Sequence, residues 1–166
     1  MPSTSQTRSP DAAEERRAES SEAPTVIGWR ERVSLPDWGL FDLRAKADTG
    51  ARSSALDVSS IEETDDGRKV RFTVIADRAG DGVEKVVEAP IVRHTHVRSS
   101  FGRRARRIFV RTRVVVAGRE FVTEIGLVDR SKMLCRMLLG RRSLQGRFLV
   151  DSRSTYLHGR RRTRER

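Results

Sequence analysis

Cysteine is almost missing from this chain: Cys135 is the one example in 166 residues. No internal disulfide can form, which excludes the stapled framework of a small secreted domain. A lone cysteine suits a reducing compartment, so the expected location is the cytoplasm, with Cys135 as a small buried apolar residue. No run of about 18 apolar residues is present, which excludes a membrane-spanning helix. The first stretch lacks the apolar centre of a secretory signal, so none is expected. There is no P-loop and no glycine-rich dinucleotide fingerprint. Lysine is scarce as well, with 30 arginines against 4 lysines.

Metal-ligand patterns are thin. The candidates are His94, His96, His158 and Cys135. His94 and His96 lie two apart on a strand-like run, so they share one face and are able to share an ion. No H-E-x-x-H, no paired C-x-x-C and no third ligand at a telling spacing accompanies them. The expectation is a protein without a cofactor, in which the two histidines contact substrate or pack. A zinc-dependent peptidase stays open as an alternative.

What the chain has in excess is positive charge, +11 net. It is unevenly placed. Residues 98–113, "RSSFGRRARRIFVRTR", carry seven arginines and no acid, and the tail 159–166 has five arginines against Glu165. Such a field favours an anionic partner, whether nucleic acid or an acidic peptide, unless it is only a solvated basic face. Residues 1–24 hold three arginines against five acids, with no apolar periodicity and no aromatic residue. They are expected to be disordered, as is the basic tail 159–166, leaving one domain over residues 25–158.

Within that domain, strand patterns dominate. "TVIGWRERVSL" alternates around Trp29 and Val33. In "LFDLRAKAD", Leu43, Ala45 and Ala47 share one face, and Arg44 and Lys46 the other. "SIEETDDGRKVRFTVIAD" reads as a hairpin turning at Asp66 and Gly67. "VEKVVEAPIVRHTHV" reads the same way, as does "ARRIFVRTRVVVAGREFVTEIGLVD", which turns at Ala117 and Gly118. Only "RRSLQG" suggests a short helix, ended by Gly146. Short strands at regular spacing argue an all-β barrel or sandwich with one short helix.

Two features carry chemistry. The first is "AKADTGARSSAL": an alternating strand delivers Asp48 to its end, Thr49 and Gly50 turn the chain, and an apolar run resumes near Ala55. A carboxylate at such a junction, backed by small residues, suits acid–base work. The second is "MLLGRRSLQGRFLVD", an apolar run ending in Gly140, then a helical turn, then a strand.

Together these features resemble the retropepsin-like aspartic peptidases, in which D-T-G-A followed by a serine carries the catalytic aspartate. There, an apolar-apolar-glycine run followed by arginine and a short helix packs beneath it. Asp48-Thr49-Gly50-Ala51 with Ser53 matches the first motif. Leu138-Leu139-Gly140-Arg141, with Leu144 as the inward leucine, matches the second. Arg142 departs from the small polar residue more usual at its position. "IGWRERVSLPDWGLFDLRAKADTGARSSAL", "VRSSFGRRARR" and "RMLLGRRSLQGRFLVD" further resemble the bacterial family known as ATP-dependent zinc proteases, or RimK-associated retropepsin-like peptidases, over about residues 25–157. The resemblance implies a closed acid-protease-like β-barrel. It also implies a functional link to ATP-grasp ligases that add glutamates to protein tails.

Aspartic proteolysis needs two carboxylates sharing a proton, one as base and one as acid. Asp37, Asp42 and Asp57 sit in no second D-T-G. A dyad thus requires a homodimer in which Asp48 meets its own copy across a two-fold axis, with Thr49 bracing the loop. The covering hairpin expected from the pattern is "VRSSFGRRARR". Its Arg98, Ser99, Ser100, Arg103 and Arg106, together with Ala51, are the expected substrate contacts, gripping an acidic peptide or protein tail. An exposed basic hairpin without a catalytic part is the other reading. A non-catalytic module that binds an anionic tail or RNA is the alternative function.

Overall fold

The computed structural model describes residues 22–76, 84–98, 104–129 and 134–159. The chain runs through β1 (Thr25–Leu35), a 3-10 turn (Pro36–Trp38), β2 (Leu40–Ala47), β3 (Ser54–Asp57), β4 (Ser59–Thr64) and β5 (Lys69–Ile75). It continues through β6 (Glu84–Pro90), β7 (Arg93–Arg98), β8 (Arg104–Val116), β9 (Arg119–Val128), β10 (Met137–Leu139), the single helical turn α1 (Arg141–Leu144) and β11 (Phe148–Thr155). The fold is all-β with one short helix, as the pattern implies. Of the ends expected to be disordered, 1–24 and 159–166, residues 1–21 and 160–166 lie outside the described residues. Just ahead of β1, the Ala23 carbonyl accepts a hydrogen bond from Arg119 at 2.7 Å. No helix among the described residues is long and apolar enough to cross a membrane.

The main sheet has the order β11-β1-β2-β10-β3-β9-β8-β7, and β1 also pairs with β8. Six of its strands therefore form a ring, with β11 and β7 as flanking edges. The closing seam is short, Val33 opposite Val116 and Ser34 opposite Val115. The architecture is a sheet curled onto itself rather than a barrel of even walls. Strand β1 makes this possible by changing partner along its length. It runs parallel to β11 at its start, antiparallel to β2 in its middle and meets β8 at its end.

Local chemistry sets the hairpins. Val116 pairs with Arg119 across Ala117 and Gly118, whose φ values are 52° and 74°. Two left-handed residues make the turn whose twist matches the flanking strands, and glycine accepts that conformation without steric cost. The β4–β5 turn uses the same region at Asp65, Asp66 and Gly67. Strand β2 alternates as its sequence does: Leu43 and Ala45 are buried, and Lys46 is exposed.

One expected hairpin is absent. "VEKVVEAPIVRHTHV" does not fold on itself; β6 pairs with β5, and β7 with β8. Pro90 ends β6 and has no N–H to extend a ladder. The next two N–H groups go to different sheets, Ile91 to the Arg68 carbonyl and Val92 to that of Phe109. The chain thus leaves the three-stranded sheet β4-β5-β6 and enters the main one.

The small sheet packs its apolar face into the common core through Val70, Phe72, Val74, Val87 and Ala89. Phe72 is fully buried and meets Trp38 edge-on, with centroids 5.3 Å apart. Such a pair adds to plain area burial. Phe72→Ala should remove roughly 3–5 kcal/mol of stability, which in a domain of this size lowers the melting temperature by about 10 °C or more. A shift below about 3 °C would show that the small sheet is not packed through this contact.

Candidate active site

The Asp48 loop is built by threading. Strands β2 and β3 are consecutive yet do not pair; β10 lies between them. It runs parallel to β2, with Leu138 opposite Lys46, and antiparallel to β3, with Leu138 opposite Ala55. Residues 48–53 must therefore arch over the end of β10. Four hydrogen bonds stitch the arch to the strand and helix it crosses. Asp48 N–H donates to the Leu139 carbonyl at 2.9 Å, Arg141 N–H to Ala51 at 2.8 Å and Arg142 N–H to Arg52 at 3.2 Å. Gly140 N–H donates to Ser54 Oγ at 3.1 Å.

Asp48 follows the last residue of β2, as its motif implies. Its Oδ1 accepts the N–H groups of Gly50 and Ala51, both at 3.1 Å. Two converging donors fix the orientation of the carboxylate. Oδ2 has no hydrogen-bond partner among the described residues. The carboxylate is half-buried, while Thr49 and Gly50 are exposed and Ala51 half-buried. Beneath the arch, Leu139 is buried, but Leu138 is only half-buried, because neighbouring side chains on a strand point to opposite faces. Arg141 supports the site through its backbone; its side chain is exposed.

Sequence reasoning missed the hydroxyl chain behind this arch. Ser54 Oγ and Ser143 Oγ lie 2.7 Å apart, and Thr123 Oγ1 lies 3.1 Å from Ser143. Both serines are buried. They tie β3, α1 and β9 together where apolar packing alone would leave polar backbone unserved. The signal available was a serine just ahead of apolar residues in both "SSAL" and "RRSL", which reads as loop chemistry until the fold joins them. Two buried acids were also missed. Asp57 pairs with Arg136 at 2.5 Å, joining the far end of β3 to the residue before β10. Glu31 accepts N–H groups from Gly28, Leu157 and His158.

The hairpin β7–β8 exists, with Arg98 opposite Arg104. Ser99, Ser100 and Arg103 lie outside the described residues, and of Arg98 only the backbone is described. Several of the arginines that looked like a free positive field are paired. Arg106 bonds Glu63 at 3.1 Å, Arg111 bonds Glu124 at 3.2 Å, and Arg113 bonds Asp37 at 2.6 Å. The Arg113 hydrogen bond holds the Asp37 carboxyl below its usual value. The Arg93 hydrogen bond does the same for Glu124. The acids come from the 3-10 turn, β4 and β9, outside the segment 98–113, which shows none of them.

His94 and His96 do not fit a metal. His94 Nε2 lies 3.4 Å from Glu63 Oε1, but the Arg106 guanidinium already occupies that carboxylate. A cation would be repelled there. No group of three His, Cys, Asp or Glu side chains among the described residues is placed to hold an ion.

Gly140 decides whether the arch can close. A Cβ there would sit 2.5 Å from the Ser53 carbonyl oxygen and 2.9 Å from Ser54 N. Backbone cannot yield as a side chain does. Gly140→Ala should cost at least roughly 1–3 kcal/mol. At Gly50 a Cβ would meet only Asp48 Oδ1, at an ordinary 3.4 Å. Thermal melts of the two variants should therefore differ, with Gly140→Ala several degrees lower. Equal melting temperatures would contradict the threaded arch.

Known proteins share this chain's features. The family model for the RimB-like proteins, described as retropepsin-like aspartic endopeptidase RimB, matches residues 26–161. A Parasynechococcus marenigrum protein named as a probable alpha-L-glutamate ligase is 32% identical over 136 residues, covering 81% of this chain and 29% of that protein. A Desulfotalea psychrophila protein of the same name is 28% identical over 131 residues, covering 78% of this chain and 28% of its own. The chain thus spans less than a third of the length of these curated relatives. A Legionella pneumophila crystal structure of unknown function superposes with a TM-score of 0.67 at 25% identity, covering 82% of this chain and 99% of that one. With its D-T-G-A arch threaded by Leu138-Leu139-Gly140 and the family match spanning nearly all the described residues, the chain belongs to the RimB-like family of retropepsin-like aspartic endopeptidases.

Proposed function

We propose that this protein is an aspartic peptidase that cuts an acidic, glutamate-rich peptide or protein tail, with Asp48 from two chains forming the catalytic pair. The observation that carries the reading is the Asp48 carboxylate. One oxygen is fixed by two backbone N–H groups, at the start of an arch that hydrogen bonds pin over β10. Family membership supports the reaction class.

Two such carboxylates about 3 Å apart cannot both ionise. The ionised one takes a proton from water as the water oxygen attacks the amide carbon. The protonated one gives its proton to the departing nitrogen as the C–N bond breaks. Thr49, exposed beside Asp48, braces the arch against its copy. Ala51 and the hairpin residues Arg98, Ser99, Ser100, Arg103 and Arg106 contact the substrate. Leu138, Leu139, Gly140 and Arg141 support the arch from below. No cofactor takes part. The protein works in the cytoplasm.

The acidic substrate rests on two supports. One is the arginine-rich hairpin. The other is the name of the relatives: their ligase function belongs to them, and we infer that this chain acts on the same kind of tail that a glutamate ligase builds.

Asp48→Asn tests the chemistry. Asparagine keeps the oxygen that accepts from Gly50 and Ala51, so the melting temperature should stay within about 2 °C. Cleavage of a glutamate-rich peptide, followed by mass spectrometry, should fall at least about a thousandfold. Retained cleavage would remove Asp48 from the reaction. Binding of RNA that weakens steeply with salt, with no cleavage by the native chain, would favour the non-catalytic alternative.

A further inference from the structure

Strand β4 is an edge strand that pairs with β5 among the described residues, and none of its residues is buried. Its register slips between Ser59 and Glu62, and Ser60 has a φ of 54°. Packing therefore holds it weakly. Its sequence, "SSIEET", presents two consecutive glutamates.

One of them is held by the hairpin. Glu63 Oε1 lies 3.1 Å from Arg106 Nη1, and its Oε2 accepts from Arg106 Nη2 at 3.4 Å. The guanidinium thus meets both carboxylate oxygens, the forked geometry by which arginine recognises a carboxylate. His94, on the adjacent strand, brings Nε2 to 3.4 Å from the same Glu63 oxygen. That buried nitrogen has no hydrogen-bond partner among the described residues. His96 lies opposite Arg106 in the ladder, so His94 and Arg106 sit diagonally on one face of the hairpin. Two groups from two strands converge on one carboxylate, and one of them has a donor to spare.

We propose that Arg106 and His94 form a subsite for a carboxylate of the acidic substrate, and that Glu63 fills this subsite in the free protein. The proposal rests on the acidic-substrate reading and adds its regulation. Glu63 is a tethered stand-in for a substrate glutamate, presented on an extended strand as a peptide would be. An arriving acidic tail must displace it, so a single free carboxylate competes poorly and a run of several competes well. No residue of the strand that carries Glu63 is fully buried, so less packing opposes its release than would oppose that of a core strand.

Binding measured on an Asp48→Asn background separates this from catalysis, because no turnover occurs. The probe is fluorescent hexa-L-glutamate, with hexa-L-glutamine as the uncharged control. Glu63→Gln removes the charge that holds the occupant in the subsite and should tighten hexaglutamate binding roughly three- to fivefold, the scale of a partly exposed ion pair. Glu62→Gln makes the same change in net charge on the opposite face of β4 and should leave binding unchanged. Arg106→Gln combined with His94→Gln should weaken binding roughly tenfold or more, and Glu63→Gln added to that pair should restore nothing. Unchanged binding in Glu63→Gln, or an equal gain in Glu62→Gln, would overturn the subsite while leaving the acidic substrate in place. No binding of hexaglutamate by any variant would overturn both.

Discussion

Between Gly140 and the carbonyl of Ser53 there is no room for a methyl group, and much of this protein's candidate chemistry depends on that closeness. Strand β10 passes between β2 and β3, and the segment joining those two strands must arch over its exit. The arch closes only if the exit residue has no side chain. Once closed, it gains hydrogen bonds at both ends, from Asp48 to Leu139 and from Arg141 to Ala51. The rigidity this gives the Asp48 carboxylate is a property of the threading more than of the tripeptide that contains it. A D-T-G elsewhere would be a turn; in this fold it is a turn pinned over a strand.

The polar groups behind the arch serve the same end. A buried hydroxyl without a partner costs about 1–3 kcal/mol, yet Ser54, Ser143 and Thr123 meet one another and the Gly140 N–H. Asp57 and Arg136 fasten the opposite end of the same three-strand unit. Breaking a buried pair of that kind leaves an uncompensated charge, so it specifies the arrangement strongly even where it adds little net stability. The loop carrying Asp48 is therefore braced from both ends of β3.

How much of this was legible follows from what each signal depends on. Strand alternation and turn chemistry are local. "LFDLRAKA" and the turn at Ala117 and Gly118 read correctly because their causes lie within a few residues. The Asp48 and Gly140 motifs were legible as a pair through a family likeness. What joins them, a strand threaded between two others, has no local signature. The hairpin expected over residues 83–97 failed because Pro90 divides two strands whose partners lie elsewhere in the chain. Charge was the least legible. Arg106, Arg111 and Arg113 looked like one field, while Glu63, Glu124 and Asp37 came from three other parts of the sequence to meet them. The histidines look like a ligand pair in the sequence, and only the fold sets Glu63 and Arg106 beside them.

The central claim is that one carboxylate per chain is half of a catalytic pair. Mixed assembly tests it most directly. Native and Asp48→Asn chains are unfolded together in equal amounts, refolded, and assayed for cleavage of a glutamate-rich peptide at fixed total concentration. If the site needs an aspartate from each of two chains, activity should fall to about a quarter of that of the all-native sample, because only that fraction of random pairs holds two aspartates. Activity of about a half would mean that each chain works with its own Asp48 alone, and would contradict a catalytic pair shared between two chains.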